Sequence, residues 1–430
     1  MNQIADHLME LKRCEVQAEG EKLNWIKRIF GITSVNSKVL SVDIAHQAVA
    51  GILMTLVTPI AIVVAKQTLG AGDMEAAFLQ SALMVGLVLS LFYANWTQKL
   101  PLVSSYVWPR VLGVLLLFIF FLVGLLGYQT SSWAFTFQVT LASILLSLSM
   151  PQLSVIYGQI YDQQMRGKAV ATTRWFNQLA AALTAWWVGD YLKNHPEYFA
   201  WIYLVAAFLG FLVLIPMGRL DVHSRQKSFH IGLLTGFRLV LRDRNFSLFL
   251  LFQFMLGVAN LCGLFAFYLY INNDEYLGLD LRTAAWLMGG IPPIAMLISV
   301  RFWGGLFDRI GIVRYRAVTN VVMAVGFMIF VIGGSSLVGL VLGSFCWGLG
   351  RAGGQLAWTI GILAFGQGSR APVYLRVHTF LTGVRGIFAP FFGTWVLAIG
   401  VGPQIVFSWS AFFIFLSAVL TVKYVSVPKS

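Results

Sequence analysis

Apolar residues along this chain come in blocks of roughly twenty, the length a helix needs to cross the hydrocarbon core of a bilayer. Twelve such blocks are legible. The first six lie at 42–66, 74–95, 108–128, 131–158, 169–190 and 198–217. The second six lie at 245–271, 283–302, 316–333, 336–364, 373–399 and 403–424. Short polar turns alone part the third block from the fourth (Gly127-Tyr128-Gln129-Thr130) and the ninth from the tenth (Gly333-Gly334-Ser335-Ser336). The pattern predicts an all-α polytopic membrane protein, with twelve transmembrane helices in two six-helix bundles. Residues 1–41 form an N-terminal segment, 42–217 the first bundle, 218–244 a central loop, and 245–430 the second bundle with a short tail.

Composition agrees with this reading and removes the alternatives. The chain is 58% hydrophobic and only 11% charged, against about 25% charged in an ordinary soluble domain. So few charges cannot cover a water-soluble protein of this size, which excludes a soluble enzyme, a disordered chain or a disulfide scaffold. Cys14, Cys262 and Cys346 show no metal or disulfide spacing, and no cofactor is expected. The polar stretch before the first span lacks the apolar core of a cleaved signal peptide. Within it Leu23, Trp25, Ile26, Ile29 and Phe30 alternate with Lys22, Lys27 and Arg28. That pattern suits either a helix lying on an anionic membrane surface or a loosely ordered tail.

Charge sets the orientation. Basic residues crowd the N-terminal segment, the central loop (Arg219, Arg225, Lys227, Arg238, Arg242, Arg244) and the loops after spans two, four, eight and ten. The alternate loops hold Lys66, Lys193 and Arg282 against Asp73, Glu75, Asp190, Glu197, Asp274, Glu275 and Asp280. The positive-inside rule places both termini in the cytoplasm. Topology then accounts for the net charge of +13, and no nucleic-acid partner is implied.

The two halves show weak internal similarity. His46-Gln47-Ala48-Val49-Ala50-Gly51 in span one compares with Phe252-Gln253-Phe254-Met255-Leu256-Gly257 in span seven. Tyr157-Gly158-Gln159 at the end of span four compares with Phe365-Gly366-Gln367 at the end of span ten. The sharpest motif follows span eight: Gly304-Gly305-Leu306-Phe307-Asp308-Arg309-Ile310-Gly311, then Arg314. A glycine turn at a helix end, with an Asp and clustered Arg, suggests a charge clasp that holds two helix ends in one state and frees them in another. The plain alternative is a positively charged loop.

With these residues the sequence resembles the major facilitator superfamily of secondary transporters. The resemblance is carried by the G-x-L-x-D-R-x-G pattern from Gly304, by Leu239-Val240-Leu241-Arg242-Asp243-Arg244-Asn245-Phe246, and by Arg166-Gly167-Lys168-Ala169. It covers about 42–425. The corresponding first-half loop departs from the pattern, with Gln98 where an Asp is expected. The resemblance implies two bundles around a central cavity that opens alternately to the two sides.

Charges near the bilayer midplane are costly and mark function. Arg351 lies midway along span ten, and Arg385 lies deep in span eleven at a similar depth. Arg174 in span five lies nearer the cytoplasmic side, where it can snorkel; as a duplicated counterpart of Arg385 it would also match Gly189 with Gly400. No Asp or Glu falls at mid-span on these boundaries; Asp43, Glu75 and Asp190 sit at helix ends. A buried ion pair for Arg351 or Arg385 therefore lacks an acidic partner at the right depth, and the missing anion can be the solute. Arg suits a carboxylate or phosphate through its planar fork; hydrogen bonding to carbonyl groups and Gln355 is the structural alternative. Gln47, Gln253, Asn260 and Gln355, with Gln138, Asn177 and Gln178, would line the cavity if the resemblance holds. His46 and His378 are the histidines within spans, each readable as a proton carrier or as a satisfied polar contact.

The sequence thus predicts a transporter working by alternating access on a small anionic solute, with Arg351, Arg385, Gln355, Gln253, Asn260, Gln47 and Arg174 as substrate contacts. Gly304, Asp308, Arg309, Gly311 and Arg314 would form its gating motif. A neutral solute, a proton-coupled drug or sugar transporter, and a non-transporting sensor or assembly factor are the alternatives. No hydrolase or metalloenzyme motif is present. The expected setting is a bacterial inner membrane, as a monomer in the lipid bilayer.

Overall fold

The computed structural model describes residues 26–32, 35–97, 99–125, 131–220, 222, 233–360, 365 and 371–426. Among them every regular element is helical. The first half contains α1 (Ser37–Gln67), α2 (Asp73–Trp96), α3 (Leu102–Leu125), α4 (Ser132–Ile160), α5 (Gln163–Asn194) and α6 (Phe199–Gly218). The second half opens with a short helix, α7 (Leu233–Arg242), and continues with α8 (Arg244–Asn272), α9 (Leu281–Phe307), α10 (Arg309–Gly333), α11 (Leu337–Ile360), α12 (Ala371–Ala398) and α13 (Pro403–Tyr424).

Eleven of these helices are long and apolar enough to cross a membrane. The expected twelfth, α5, is helical over 32 residues, but Arg174, Asn177, Gln178 and Asp190 make it too polar to qualify on composition. Three expected boundaries move, each for a local reason. Helix α1 begins at Ser37, not 42, because the Asn36 side chain accepts from the Lys38 N–H and caps it. Spans eight and nine run on as one helical stretch to Gly333, kinked in the first turn of α10 at Gly311, whose φ of 69° is open to glycine. Part of the expected central loop is the helix α7, which lays Gly236 and Phe237 on α12 against Val373 and Phe380 and leaves Arg238, Leu241 and Arg242 exposed.

Outward faces of the bundle are apolar, as a lipid-facing surface requires. Phe208, Ile215, Phe302, Ile332 and Phe412 are all exposed, while ring stacks such as Phe121–Tyr203 and Phe267–Phe330 fill the interior of each half. The halves meet along two seams, α5 on α9 and α2 on α12. Gly383 and Gly386 of α12 leave room there for Met84 and Val88 of α2.

Polar contacts between the halves gather at the end opposite the termini. Gln67 Nε2 donates to Asn272 Oδ1 at 2.9 Å and to the Leu279 carbonyl at 3.0 Å. Asn273 Nδ2 donates to Asp73 Oδ1 at 3.1 Å. Arg282 pairs with Asp190 at 3.2 Å, and Lys193 with Asp280 at 3.6 Å. Partial burial pulls the Asp280 carboxyl up, but hydrogen bonds from Thr283 and the Lys193 charge outweigh it and hold the group below its usual range. At the other end, Arg301 of α9 donates to the Ile29 carbonyl at 3.4 Å and lies over the Phe30 ring. Leu23 and Trp25, part of the expected surface helix, lie outside the described residues.

Candidate functional site

Two polar networks occupy equivalent places in the two halves. In the first half, Asp43 is fully buried on α1. Tyr161 donates to its Oδ2 at 2.7 Å and Tyr157 to its Oδ1 at 3.1 Å. Gln47 Nε2 donates in turn to the Tyr157 oxygen at 2.8 Å. Asn177 Nδ2, from α5, donates to the Gln47 carbonyl at 2.8 Å. The sequence pattern puts Asp43 at a helix end. The earlier start of α1 carries it about 9 Å into the helix, so the half does hold a buried carboxylate.

In the second half the chemistry is basic. Arg385 of α12 is buried, and its Nη1 donates to the Gln253 carbonyl of α8. Arg316 of α10 is also buried; its Nε donates to Gln253 Oε1, and its Nη1 donates to the Gly354 carbonyl at 3.1 Å. Both guanidinium groups thus meet neutral acceptors. Neither makes an ion pair among the described residues, where the pairs join Lys66, Lys193, His195 and Arg282 to acids. Two buried donors of this cluster, Arg385 Nε and Gln253 Nε2, have no hydrogen-bond partner among the described residues. Unpaired buried donors are expensive, and a charge without a counter-ion more so. An acceptor-rich, negatively charged ligand would satisfy both deficits.

The internal repeat explains the placement. Gln47 and Gln253 hold the same position in the repeated hexapeptides, and each main-chain oxygen accepts from a side chain of the fifth helix of its half. Gly51 and Gly257, closing those hexapeptides, are the points of closest approach. A Cβ at Gly51 would overlap the Asn177 backbone, and one at Gly257 would overlap the Arg385 side chain. The counterpart of Arg385 is therefore Asn177, not Arg174 as expected. The register that pairs Asn177 with Arg385 also pairs Tyr157 with Phe365. Where the first half sets Tyr157 against Asp43, the second packs Phe365 on Phe249 with ring centroids 4.7 Å apart.

The other expected contacts are spread more widely. Arg351 is partly buried, with its guanidinium 5.2 Å from the Trp347 ring centroid. Trp347 Nε1 donates to Asn260 Oδ1 at 2.7 Å, so Arg351 and Asn260 share one neighbour. Gln355 follows Gly354, which places it about one helical turn from Arg351. Arg174 is exposed on α5. Gln138, an expected cavity residue, spends its amide on the Leu116 carbonyl at 2.8 Å. His46 meets Tyr106 at 3.0 Å, with Arg110 over the Tyr106 ring. In the gating motif, Gly304 is helical, Gly311 makes the break, and Arg309 and Arg314 are exposed without an ion pair among the described residues. The side chain of Asp308 lies outside the described residues.

Arg316 is the residue that sequence reasoning misses. Pattern alone makes it one of the basic residues of the loop after span eight, at the very start of span nine. The helix resumes just after Gly311, which carries Arg316 inside. The signal is Tyr315-Arg316 followed by Thr319-Asn320, a polar stripe at helical spacing, and all four are buried.

A family model described as the Major Facilitator Superfamily matches residues 46–373. Among curated proteins no sequence match is found. Among solved structures, a nucleoside transporter, NupG, is similar with a TM-score of 0.68 at 13% identity, covering 91% of this chain and 100% of that one. The E. coli xylose transporter XylE, in a partially occluded inward-open conformation, gives 0.64 at 13% identity, covering 93% and 99%. The E. coli fucose:proton symporter FucP gives 0.61 at 13%, covering 90% and 98%.

Proposed function

The chain belongs to the major facilitator superfamily, and on that premise we propose that it carries a small anionic solute held by Arg316, Arg385 and Gln253. It is an integral membrane transporter that handles a small molecule, not an enzyme. The observation that carries the anionic reading is the pair of buried guanidinium groups that donate to uncharged oxygens. A carboxylate or phosphate entering there replaces carbonyl partners with charge-assisted bonds. Arg351 and Gln355, about one turn apart on α11, and Asn260 extend the contact set along the same axis. Gln47 and Arg174 face the solute from the first half.

Alternating access follows from the seams. The end opposite the termini is held shut by the Gln67–Asn272, Asp73–Asn273 and Asp190–Arg282 contacts. Opening that end breaks them, while the motif Gly304, Asp308, Arg309, Gly311 and Arg314 secures the opposite one. We place the termini in the cytoplasm of a bacterial cell, on charge distribution, and the protein in the inner membrane as a monomer with no nucleic-acid partner.

The test is thermal unfolding of detergent-purified protein with sulfate, phosphate, fumarate, xylose and uridine, alongside Arg385→Gln and Arg316→Gln. A ligand at a hundred times its dissociation constant stabilises by about 2.7 kcal/mol. An anion should stabilise the wild type and neither variant. Stabilisation by a sugar or nucleoside alone, retained in both variants, would make the arginines structural and the solute neutral.

A further inference from the structure

We propose that the cleft between α1, α3 and α6 is a second anion site, in which Arg110 and His46 hold the phosphate group of an anionic phospholipid. Both residues line the cleft. Arg110 is 5% exposed and His46 2%. Arg110 Nε and His46 Nδ1 have no hydrogen-bond partner among the described residues. Arg110 makes no ion pair among them either; its guanidinium carbon lies 4.5 Å from the centroid of the Tyr106 ring. The Tyr106 hydroxyl meets His46 Nε2 at 3.0 Å. In the tautomer with its proton on Nδ1, the imidazole accepts from Tyr106 and keeps one unused N–H. A buried cation and a buried donor, gathered around one tyrosine, thus both lack an acceptor, and phosphate oxygens supply one to each.

This cleft is separate from the proposed solute site. His46 and Gln47 point about 100° apart around α1. Gln47 turns to Tyr157 of α4 and Asn177 of α5, while His46 turns to Tyr106 of α3. The register that matches Gln47 with Gln253 also matches Arg110 with Arg316. In the second half that arginine reaches Gln253 and the Gly354 carbonyl; in the first it lines a cleft with Gly210, Val213 and Leu214 of α6. Asp43, three residues before His46, accepts from Tyr157 and Tyr161. Helices α3 and α6 take no part in either seam between the halves.

The surroundings favour a lipid over a free ion. Val49, Leu53, Val114 and Leu146 complete the walls, and such walls offer nothing to an ion that has shed its water. Helices α3 and α6 carry exposed Trp108, Leu112, Phe208 and Leu212, a surface that acyl chains cover. Arg110 and His46 lie about 12–14 Å along α3 and α1 from the ends on the side of the termini. Helical side chains lean toward the helix start. Arg110 leans over Tyr106, one turn earlier, which carries its charge toward headgroup level. Basic pockets between membrane helices are a recurrent setting for anionic headgroups.

Native mass spectrometry of the detergent-purified chain, titrated with dioleoyl phosphatidylglycerol or dioleoyl phosphatidylcholine, tests this. The wild type should hold its first phosphatidylglycerol more tightly than phosphatidylcholine. Arg110→Gln should weaken that binding about 10- to 100-fold, the loss of one charged hydrogen bond. His46→Phe should weaken it about 2- to 10-fold, the loss of one neutral bond; it keeps the cation and places at 46 the residue type found buried at the matched Phe252. Arg219→Gln, which removes an exposed cation at the same end, should leave it unchanged. Equal binding of the two lipids by the wild type overturns the proposal. So does phosphatidylglycerol binding that survives both Arg110→Gln and His46→Phe, or a loss in Arg219→Gln as large as theirs. Unfolding scans with inorganic phosphate separate the two sources of the group. The phosphate response should be the same in Arg110→Gln as in the wild type; a response that vanishes there, with no lipid preference, would make the occupant a free ion and overturn the lipid.

Discussion

The paired glycines allow a prediction in which one substitution, made at two repeated positions, has opposite consequences. At Gly257 an added Cβ overlaps Cδ, Nε and Cζ of Arg385. These atoms belong to a flexible side chain, so the guanidinium swings away and its bond to the Gln253 carbonyl is lost. The charge-assisted bond that the displaced guanidinium would have given the anion contributes about 1.5–3 kcal/mol, which is about a 10- to 100-fold loss in anion affinity at 1.4 kcal/mol per decade. Alanine gains about 1 kcal/mol over glycine in a helix interior, which offsets part of the lost Gln253 bond, so stability should fall by no more than about 2 kcal/mol. At Gly51 the same methyl overlaps the Asn177 carbonyl oxygen and crowds its carbon and Cα. Backbone cannot step aside without separating α1 from α5. Overpacking of this kind costs about 1–3 kcal/mol, which exceeds the helical gain at most sites. Gly51→Ala should therefore lower the unfolding temperature while preserving affinity in the protein that folds. Gly257→Ala should lose the ligand-induced shift while its own unfolding temperature falls only modestly. Unfolding scans in one detergent, with and without fumarate or sulfate, read both quantities. A Gly257→Ala protein with wild-type affinity would refute the placement of Arg385 in the site, and a Gly51→Ala protein of full stability would refute the close approach.

Three further outcomes follow from the geometry. Cysteines at Gln67 and Asn272, joined by an oxidant, should hold the end opposite the termini shut and stop uptake until reduced; continued uptake by the cross-linked protein would contradict that gate. Tyr161→Phe removes one of two tyrosine donors to the buried Asp43 and should destabilise by about 1–3 kcal/mol, read as a lower unfolding temperature. Lys193→Ala breaks a pair whose side chains are 43% and 45% exposed, so unfolding in detergent should shift by less than about 1 kcal/mol; a larger loss would mean that the pair anchors the seam.

Most of the fold is legible in the sequence because membrane helices announce themselves by length and apolarity, and the exceptions are informative. Helix α5 falls short on composition because it carries Asn177 and Gln178 toward the other helices. Arg385, Gln253 and Gln47 are legible because charge and amide groups stand out in apolar runs. Arg316 is not, since basic residues at span ends are ordinary and only the break at Gly311 shows that this one lies inside. Asp43 is misplaced for a similar reason, a capping signal at Asn36 that moves the helix start. The weak hexapeptide repeat proves more reliable than matching of charges: it leads to Asn177 through geometry, where a search for a second arginine leads to Arg174.

The central claim is that Arg316 and Arg385 hold a translocated anion. It is tested most directly by uptake of labelled fumarate and sulfate into proteoliposomes. The wild type should take up at least one of them, and Arg316→Gln and Arg385→Gln, reconstituted at equal density and folded by their unfolding profiles, should not. Uptake of either anion undiminished by both substitutions would contradict the account.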